Sequence, residues 1–243
     1  MQTTKAVAIL GLLLVSGCAS LEGPEFGVFD PYESVNRPIY VASDWVDRKA
    51  LAPVARGYQK ITPGWFRGGV ENFFSNLREI NSALNGLLQG KPASAGTDLA
   101  RIVINSTVGI GGLVDVAGRN GLAHQEEDLG QTLAVAGITR SRYIYLSVIG
   151  PSAIRDTPAS LVNAAIPRLI LGSVYTWWVG CLDVISARAE VLAATDARDA
   201  SALDPYAFTR EAYYQRRKFL IFDGDPPMDD FFADEFDEFD DEE

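Results

Sequence analysis

The sequence is poor in the side chains from which most catalytic centres are built. Its 243 residues include one histidine, His124, and two cysteines, Cys18 and Cys181. A zinc-type centre draws on clustered His and Cys ligands. Here a metal site would have to rest on carboxylates, and none is expected. A Ser–His–Asp triad would have to run through His124, which lies in the polar segment Leu122-Ala123-His124-Gln125-Glu126-Glu127-Asp128. No nucleophile elbow occurs, because Gly150-Pro151-Ser152-Ala153-Ile154 lacks the second glycine. Gly109-Ile110-Gly111-Gly112 has the wrong spacing for a dinucleotide loop. Glu126-Glu127-Asp128 has the chemistry to bind a cation, but a solvated charge run is the favoured reading. The chain therefore offers no enzyme, and no cofactor is expected.

Basic excess is missing too. The formal charge is −11, but twelve of the 32 acidic residues lie at or after Asp223, where no Lys or Arg occurs. Without that tail and Lys5, the chain from Cys18 to Phe222 carries 20 residues of each sign. A neutral body lacks the basic stripe that nucleic acid demands and has no strong attraction to anionic lipid heads. Attachment to a membrane must then be hydrophobic.

No apolar run reaches the roughly 20 residues that span a bilayer core. The N-terminal run is instead a short signal: Lys5, then an apolar stretch over 6–15, then Ser16-Gly17-Cys18. Val15-Ser16-Gly17-Cys18 looks like a lipobox, the bacterial lipoprotein signal, with cleavage before Cys18 and acylation of its thiol and new amine. Several acyl chains anchor stably where one does not. The alternative is an ordinary signal peptide with a chance cysteine. Ala19 stands where an Asp would suggest inner-membrane retention, which favours the outer membrane. With Cys18 acylated, Cys181 has no disulfide partner. Its apolar surroundings suggest a buried small hydrophobe.

The body reads as mostly helical. Residues 39–46 and 51–58 are short helical pieces. Thr62-Pro63 is a helix start, with Thr62 as N-cap. Val70, Phe73, Phe74, Leu77, Ile80, Leu84, Leu87 and Leu88 form one apolar stripe, expected to face the core, with Asn72, Asn76, Arg78 and Asn81 facing away. A further helix over about 93–106 is expected to turn Leu99, Ile102 and Val103 inward. Residues 143–149 suit a short strand, a hairpin arm or an extended loop. Residues 161–192 hold two helical stretches, broken near Pro167 and Gly172. Residues 169–182 carry no charge and include Trp177-Trp178, which suits a buried or an interfacial helix. Asp204-Pro205 starts the last helix, with Asp204 as N-cap. So much uncharged surface fits either a large helical core or a body partly facing lipid.

Taken in order, these segments resemble the MlaA (VacJ) family of outer-membrane lipoproteins. The stretches that carry the resemblance begin with Asp30-Pro31-Tyr32-Glu33-Ser34-Val35-Asn36-Arg37, Pro53-Val54-Ala55-Arg56-Gly57-Tyr58 and Asn72-Phe73-Phe74-Ser75-Asn76-Leu77. They continue with Leu87-Leu88-Gln89-Gly90, residues 101–115, Asp128-Leu129-Gly130-Gln131-Thr132-Leu133, residues 150–156 and residues 204–217. Each motif alone is weak, whereas the ordered series is specific. The resemblance implies an all-α, ring-like helical body lying in one leaflet. It implies an amphipathic channel that removes phospholipid from the outer leaflet and so maintains outer-membrane lipid asymmetry. It further implies a trimeric porin beside the ring and a soluble periplasmic carrier that receives the lipid.

Within the family motifs, Asn36, Arg37, Arg101, Asn105, Arg155 and Asp156 are candidates for the lipid path. Each has a structural alternative, such as capping or a buried Arg155–Asp156 pair. Gly109, Gly111 and Gly112 allow close turns, and a gate or hinge is one reading of them. The tail departs from the family pattern by spacing Phe231, Phe232, Phe236 and Phe239 among acids. It is either a solvated acidic end or a segment that folds onto the carrier. The expected organisation is signal 1–17, lipidated tether 18–29, helical domain 30–222 and acidic disordered tail 223–243. The competing reading of the whole is a structural envelope lipoprotein that scaffolds other proteins and moves no lipid.

Overall fold

A computed structural model describes residues 29–227. The signal, Cys18, most of the tether and the tail phenylalanines lie outside the described residues. Among the described residues ten α-helices follow one another: α1 Glu33–Val46, α2 Ala52–Ile61, α3 Gly64–Leu88, α4 Pro92–Thr107, α5 Val116–Arg119, α6 Leu129–Val135, α7 Thr157–Leu171, α8 Trp177–Glu190, α9 Leu192–Ser201 and α10 Pro205–Ile221. A π-helical turn, Asp47–Leu51, joins α1 to α2. Two strands, β1 Tyr143–Leu146 and β2 Gly150–Ala153, pair antiparallel with Tyr143 opposite Ala153 and Leu146 opposite Gly150. The fold is mostly helical, and the aromatic segment resolves as one arm of a hairpin. Among the described residues no helix is long and apolar enough to cross a membrane.

Local signals account for several ends. Asp204 accepts from the amides of Tyr206 and Ala207 with Pro205 in the first turn, the expected N-cap. Its carboxylate also takes both terminal nitrogens of Arg37, at 3.0 and 2.8 Å. That pair is partly exposed and adds little. Asp204→Ala is therefore expected to cost about 1–2 kcal/mol, mostly from the lost cap, a fall in melting temperature that circular dichroism would read. Thr62 is not a cap. It is extended, ends α2, and turns its hydroxyl back to the Tyr58 carbonyl, so α3 starts at Gly64 with Pro63 before it. Pro167 does not break its helix either. The helix α7 runs through it to Leu171 and stops at Gly172, whose φ of +53° suits glycine.

The apolar core is small and divided. Ala52, Ala55 and Tyr58 of α2 pack on Ala189 of α8 and Leu192 of α9. A second nucleus is aromatic: Tyr40, Tyr143 and Tyr206 meet edge to face, with Tyr145, Tyr213 and Tyr214 around them. The first nucleus joins α2 to α8 and α9, and the second joins α1, β1 and α10.

The largest departure from the sequence reading concerns which faces point inward. On α3, Val70 and Phe74 are buried as expected. From Asn76 onward the helix turns its polar face in: Asn76, Glu79, Asn81, Ser82 and Asn85 are buried. Leu84, Leu87 and Leu88 are 57%, 53% and 69% exposed. On α4 the buried side chains are Ala95, Asp98, Arg101 and Asn105, while Leu99 and Val103 are exposed. These two helices form the most extensive helix pair in the molecule, and they meet through polar groups. Residues 169–182 are likewise not buried as one helix. They span the end of α7, a 3₁₀ turn and the start of α8, with Leu169, Trp177, Trp178 and Cys181 all exposed. Cys181 is thus a surface thiol and not a core residue.

Candidate functional site

A polar line beside the buried face of α3 has helical spacing. Glu71, Ser75, Arg78 and Ser82 recur at intervals of four, three and four, which places them along one line of the helix. A cavity of about 270 Å³ lies against this line. Its other walls come from α8, through Asp183, Ser186 and Glu190, from Asn163 of α7, and from His124, Glu126 and Glu127 of the loop before α6. Phe74 and Ala187 supply apolar wall. The lining thus mixes charge, hydroxyl, amide and ring.

Its charges are held in place. The Arg78 guanidinium meets the Asp183 carboxylate at 2.5 Å and lies 5.8 Å from the Phe74 ring centre. Lys91 pairs with Glu127 at 2.8 Å. Asn81 donates to Asn163 at 2.7 Å, tying α3 to α7. Burial and then the neighbouring Glu71 push the Glu190 carboxyl above its usual range. Behind this lining sits a second polar layer. Arg101 of α4 bonds Glu79 of α3 through its Nε and reaches Asp115 at 3.3 Å. His124 faces Glu79 at 3.2 Å and Asp98 at 3.8 Å. Burial pushes the His124 pKa down, but hydrogen bonds to Asp98 and Glu79 outweigh it and raise it to about 9.

None of the six sequence candidates lines this cavity. Asn36 is buried between α1 and the hairpin, donating to Tyr143 O and Asp30 and accepting from Tyr145 N. Arg37 spans Glu33 and Asp204 over the Tyr206 ring. Arg101 sits in the second layer. Asn105 donates to Asp115 and accepts from Ala117 N, which closes the loop after α4. Arg155 and Asp156 form the buried pair named as their structural alternative, 2.7 Å apart. They border a separate crevice of about 20 Å³ with Tyr213 and Arg217. These groups hold elements together.

The glycines belong to the turn after α4. Gly111 and Gly112 have φ of +68° and +91°. A Cβ on Gly109 would lie 2.3 Å from the Val114 carbonyl oxygen, and one on Gly112 would lie 2.8 Å from Asn76. Turn closure therefore demands glycine at these positions. The turn exposes Val108 and Ile110.

The MlaA lipoprotein model matches residues 28–220. The MlaA lipoprotein of the intermembrane phospholipid transport system from Escherichia coli K12 is 32% identical over 226 residues, covering 89% of this chain and 88% of that one. Its Shigella flexneri counterpart is 33% identical over the same shares. The protein RC0123 of Rickettsia conorii is 35% identical over 79% of this chain and 77% of its own. A chain solved in work on the structural basis for maintenance of bacterial outer membrane lipid asymmetry superposes with a TM-score of 0.67 at 32% identity, covering 79% of this chain and 98% of that chain. Agreement in sequence across nearly the whole helical body, and in fold with a solved chain covered almost end to end, leads to one assignment: the chain belongs to the MlaA lipoprotein family.

Proposed function

We propose that this protein is an outer-membrane lipoprotein that takes phospholipid out of the outer leaflet and passes it to a soluble periplasmic carrier, so maintaining lipid asymmetry. The observation that carries this reading is the reversed burial of α3 and α4, with amides, carboxylates and guanidinium inside and leucines outside. Water outside would favour the opposite arrangement, because exposing a leucine costs roughly 1.5–3 kcal/mol. Lipid outside removes that cost. The polar cavity then offers a head group an aqueous route, while the chains remain beside apolar surface. The names of the Escherichia coli and Shigella flexneri relatives, and the subject of the solved relative, support the same reading.

In this proposal residues 1–17 are the signal, Cys18 carries the acyl anchor, 18–29 is the tether, and 30–222 forms a ring in the inner leaflet beside a porin trimer. Residues 223–243 form the acidic tail, whose phenylalanines dock the carrier. Transport of this kind requires no covalent step. The test is native mass spectrometry of detergent-purified protein with lipid extraction, comparing wild type with Ser75→Trp, which fills the cavity. Bound phospholipid in wild type, reduced severalfold in the variant, is the expected result. No bound phospholipid, together with no acceleration of lipid transfer between vesicles, would establish the scaffold reading instead.

A further inference from the structure

Glu79 and Asp98 are among the most completely buried polar side chains, at 1% and 0% exposure. Each has one carboxylate oxygen already engaged. Glu79 Oε1 takes Arg101, and Asp98 Oδ1 accepts from Gln125 N at 3.4 Å. Each also has one that is not: Glu79 Oε2 and Asp98 Oδ2 are buried without a hydrogen-bond partner. A buried acceptor left unsatisfied is costly, the more so when charged. The sole imidazole of the chain faces the other oxygen of each, Glu79 Oε1 at 3.2 Å and Asp98 Oδ1 at 3.8 Å, and ligand atoms of Glu79, Asp98 and His124 all lie within 4.8 Å of one another.

We propose that Glu79, Asp98 and His124 form a transition-metal site of the zinc class that pins the loop before α6 onto α3 and α4. A tetrahedral zinc with bonds of about 2.0–2.2 Å sets its ligand atoms roughly 3.3 Å apart. His124, exposed on a loop, already stands 3.2 and 3.8 Å from the two carboxylates, so the cluster matches once its ligand atoms close up by at most about 1.5 Å as the side chains turn toward the ion. An imidazole favours zinc and its neighbours over magnesium or calcium, which take oxygen ligands. Arg101 does not compete for the ion. It holds the other oxygen of Glu79 and orients that carboxylate, the usual task of an outer hydrogen-bond partner. His124 also lines the cavity, so the fourth coordination position faces solvent there. Two carboxylates neutralise a divalent ion, so no further charge is buried. The site stands apart from the phospholipid reading, since it uses none of that reading's assumptions.

The test uses the full-length protein in mild detergent with Cys181→Ser, a tag free of histidine, and prior EDTA treatment. Zinc titration by calorimetry is expected to show one saturable site. At a hundredfold excess over Kd, the melting temperature should rise by roughly 5 °C or more. His124→Gln and Asp98→Asn should each weaken binding at least tenfold, while Glu211→Gln, exposed on α10, leaves it unchanged. Cobalt added in place of zinc should give the intense visible absorption of a four- or five-coordinate ion, a measurement that needs only the wild-type side chains. No saturable zinc binding by the folded protein, or equal affinity in the His124→Gln and Asp98→Asn proteins, overturns the site.

Discussion

Asp156→Ala should lower the stability of the protein by about 3–5 kcal/mol. At 2–4 °C per kcal/mol for a body of this size, that is a fall of roughly 10 °C in melting temperature. The reason is the number of groups that converge on one carboxylate. Asp156 Oδ1 accepts from Arg155 Nε at 2.7 Å and from Arg217 Nη2 at 3.2 Å. Its Oδ2 accepts from Arg155 Nη2 at 3.1 Å and from the Tyr213 hydroxyl at 2.6 Å. Arg217 also takes Asp128, which caps α6 through Gln131 N. One carboxylate thus ties the β2–α7 junction to α10 and, through Arg217, to α6. Gly130 fits this knot because a Cβ there would lie 2.3 Å from Asp156 Oδ1.

Alanine at 156 strands two buried guanidiniums with half their compensation. The pH dependence follows with a definite sign. Burial pushes the Asp156 carboxyl up, but Arg217 and Arg155 outweigh it and hold it below its ordinary value of 3.8. The folded state therefore binds this proton less readily than the unfolded chain. The contribution is complete above about pH 4 and is lost as the pH falls below it. Thermal melts between pH 7 and pH 3 should show Asp156→Asn destabilised at neutrality and with a shallower acid decline than wild type. A variant within 2 °C of wild type at pH 7 would remove the network from the account of stability.

Much of the fold is legible in the sequence, and the failures share one cause. Helix positions follow from periodicity and punctuation, as at Asp204-Pro205 and Gly172. The β-branched and aromatic run at 143–149 leaves strand, hairpin arm and loop open, and the structure resolves it as a hairpin arm. Periodicity identifies a two-faced helix, but it does not say which solvent each face meets. For α3 and α4 the assumption of water outside reverses the answer. The cavity escapes for a related reason. Its signal is the stripe Glu71-Ser75-Arg78-Ser82, which looks like a solvated face, while its opposite wall at Asp183 and Glu190 is more than a hundred residues away. Arg37 and Arg155 stand out in the sequence because they sit in recognisable motifs, and those motifs are knots of packing.

Replacing Leu84, Leu87 and Leu88 together with lysine separates the two assignments of that face. If the stripe were core, each substitution would bury a charge and open a cavity, costing several kcal/mol and the fold with it. The structure places all three more than half exposed, and exposed positions change stability by about 0.5 kcal/mol or less each. In detergent the triple variant should therefore melt within a few degrees of wild type. The control Phe74→Ala, at a position 2% exposed, should cost about 3–5 kcal/mol. At a membrane the order inverts. Each half-exposed leucine transferred to lipid is worth about 1 kcal/mol, so three lost contribute about 3 kcal/mol, over a hundredfold in partition. Three lysines then add their own cost in hydrocarbon. Measured by vesicle flotation in a Cys18→Ala background, which removes the proposed acyl anchor, binding should fall at least a hundredfold in the triple variant and little in Phe74→Ala protein that remains folded. Loss of the fold with vesicle binding unchanged would return these leucines to the core. A stable protein that no longer enters the bilayer would mean that the polar interior of α3 and α4 is matched to a lipid exterior, so that this helix pair is solvated by the leaflet and not by water.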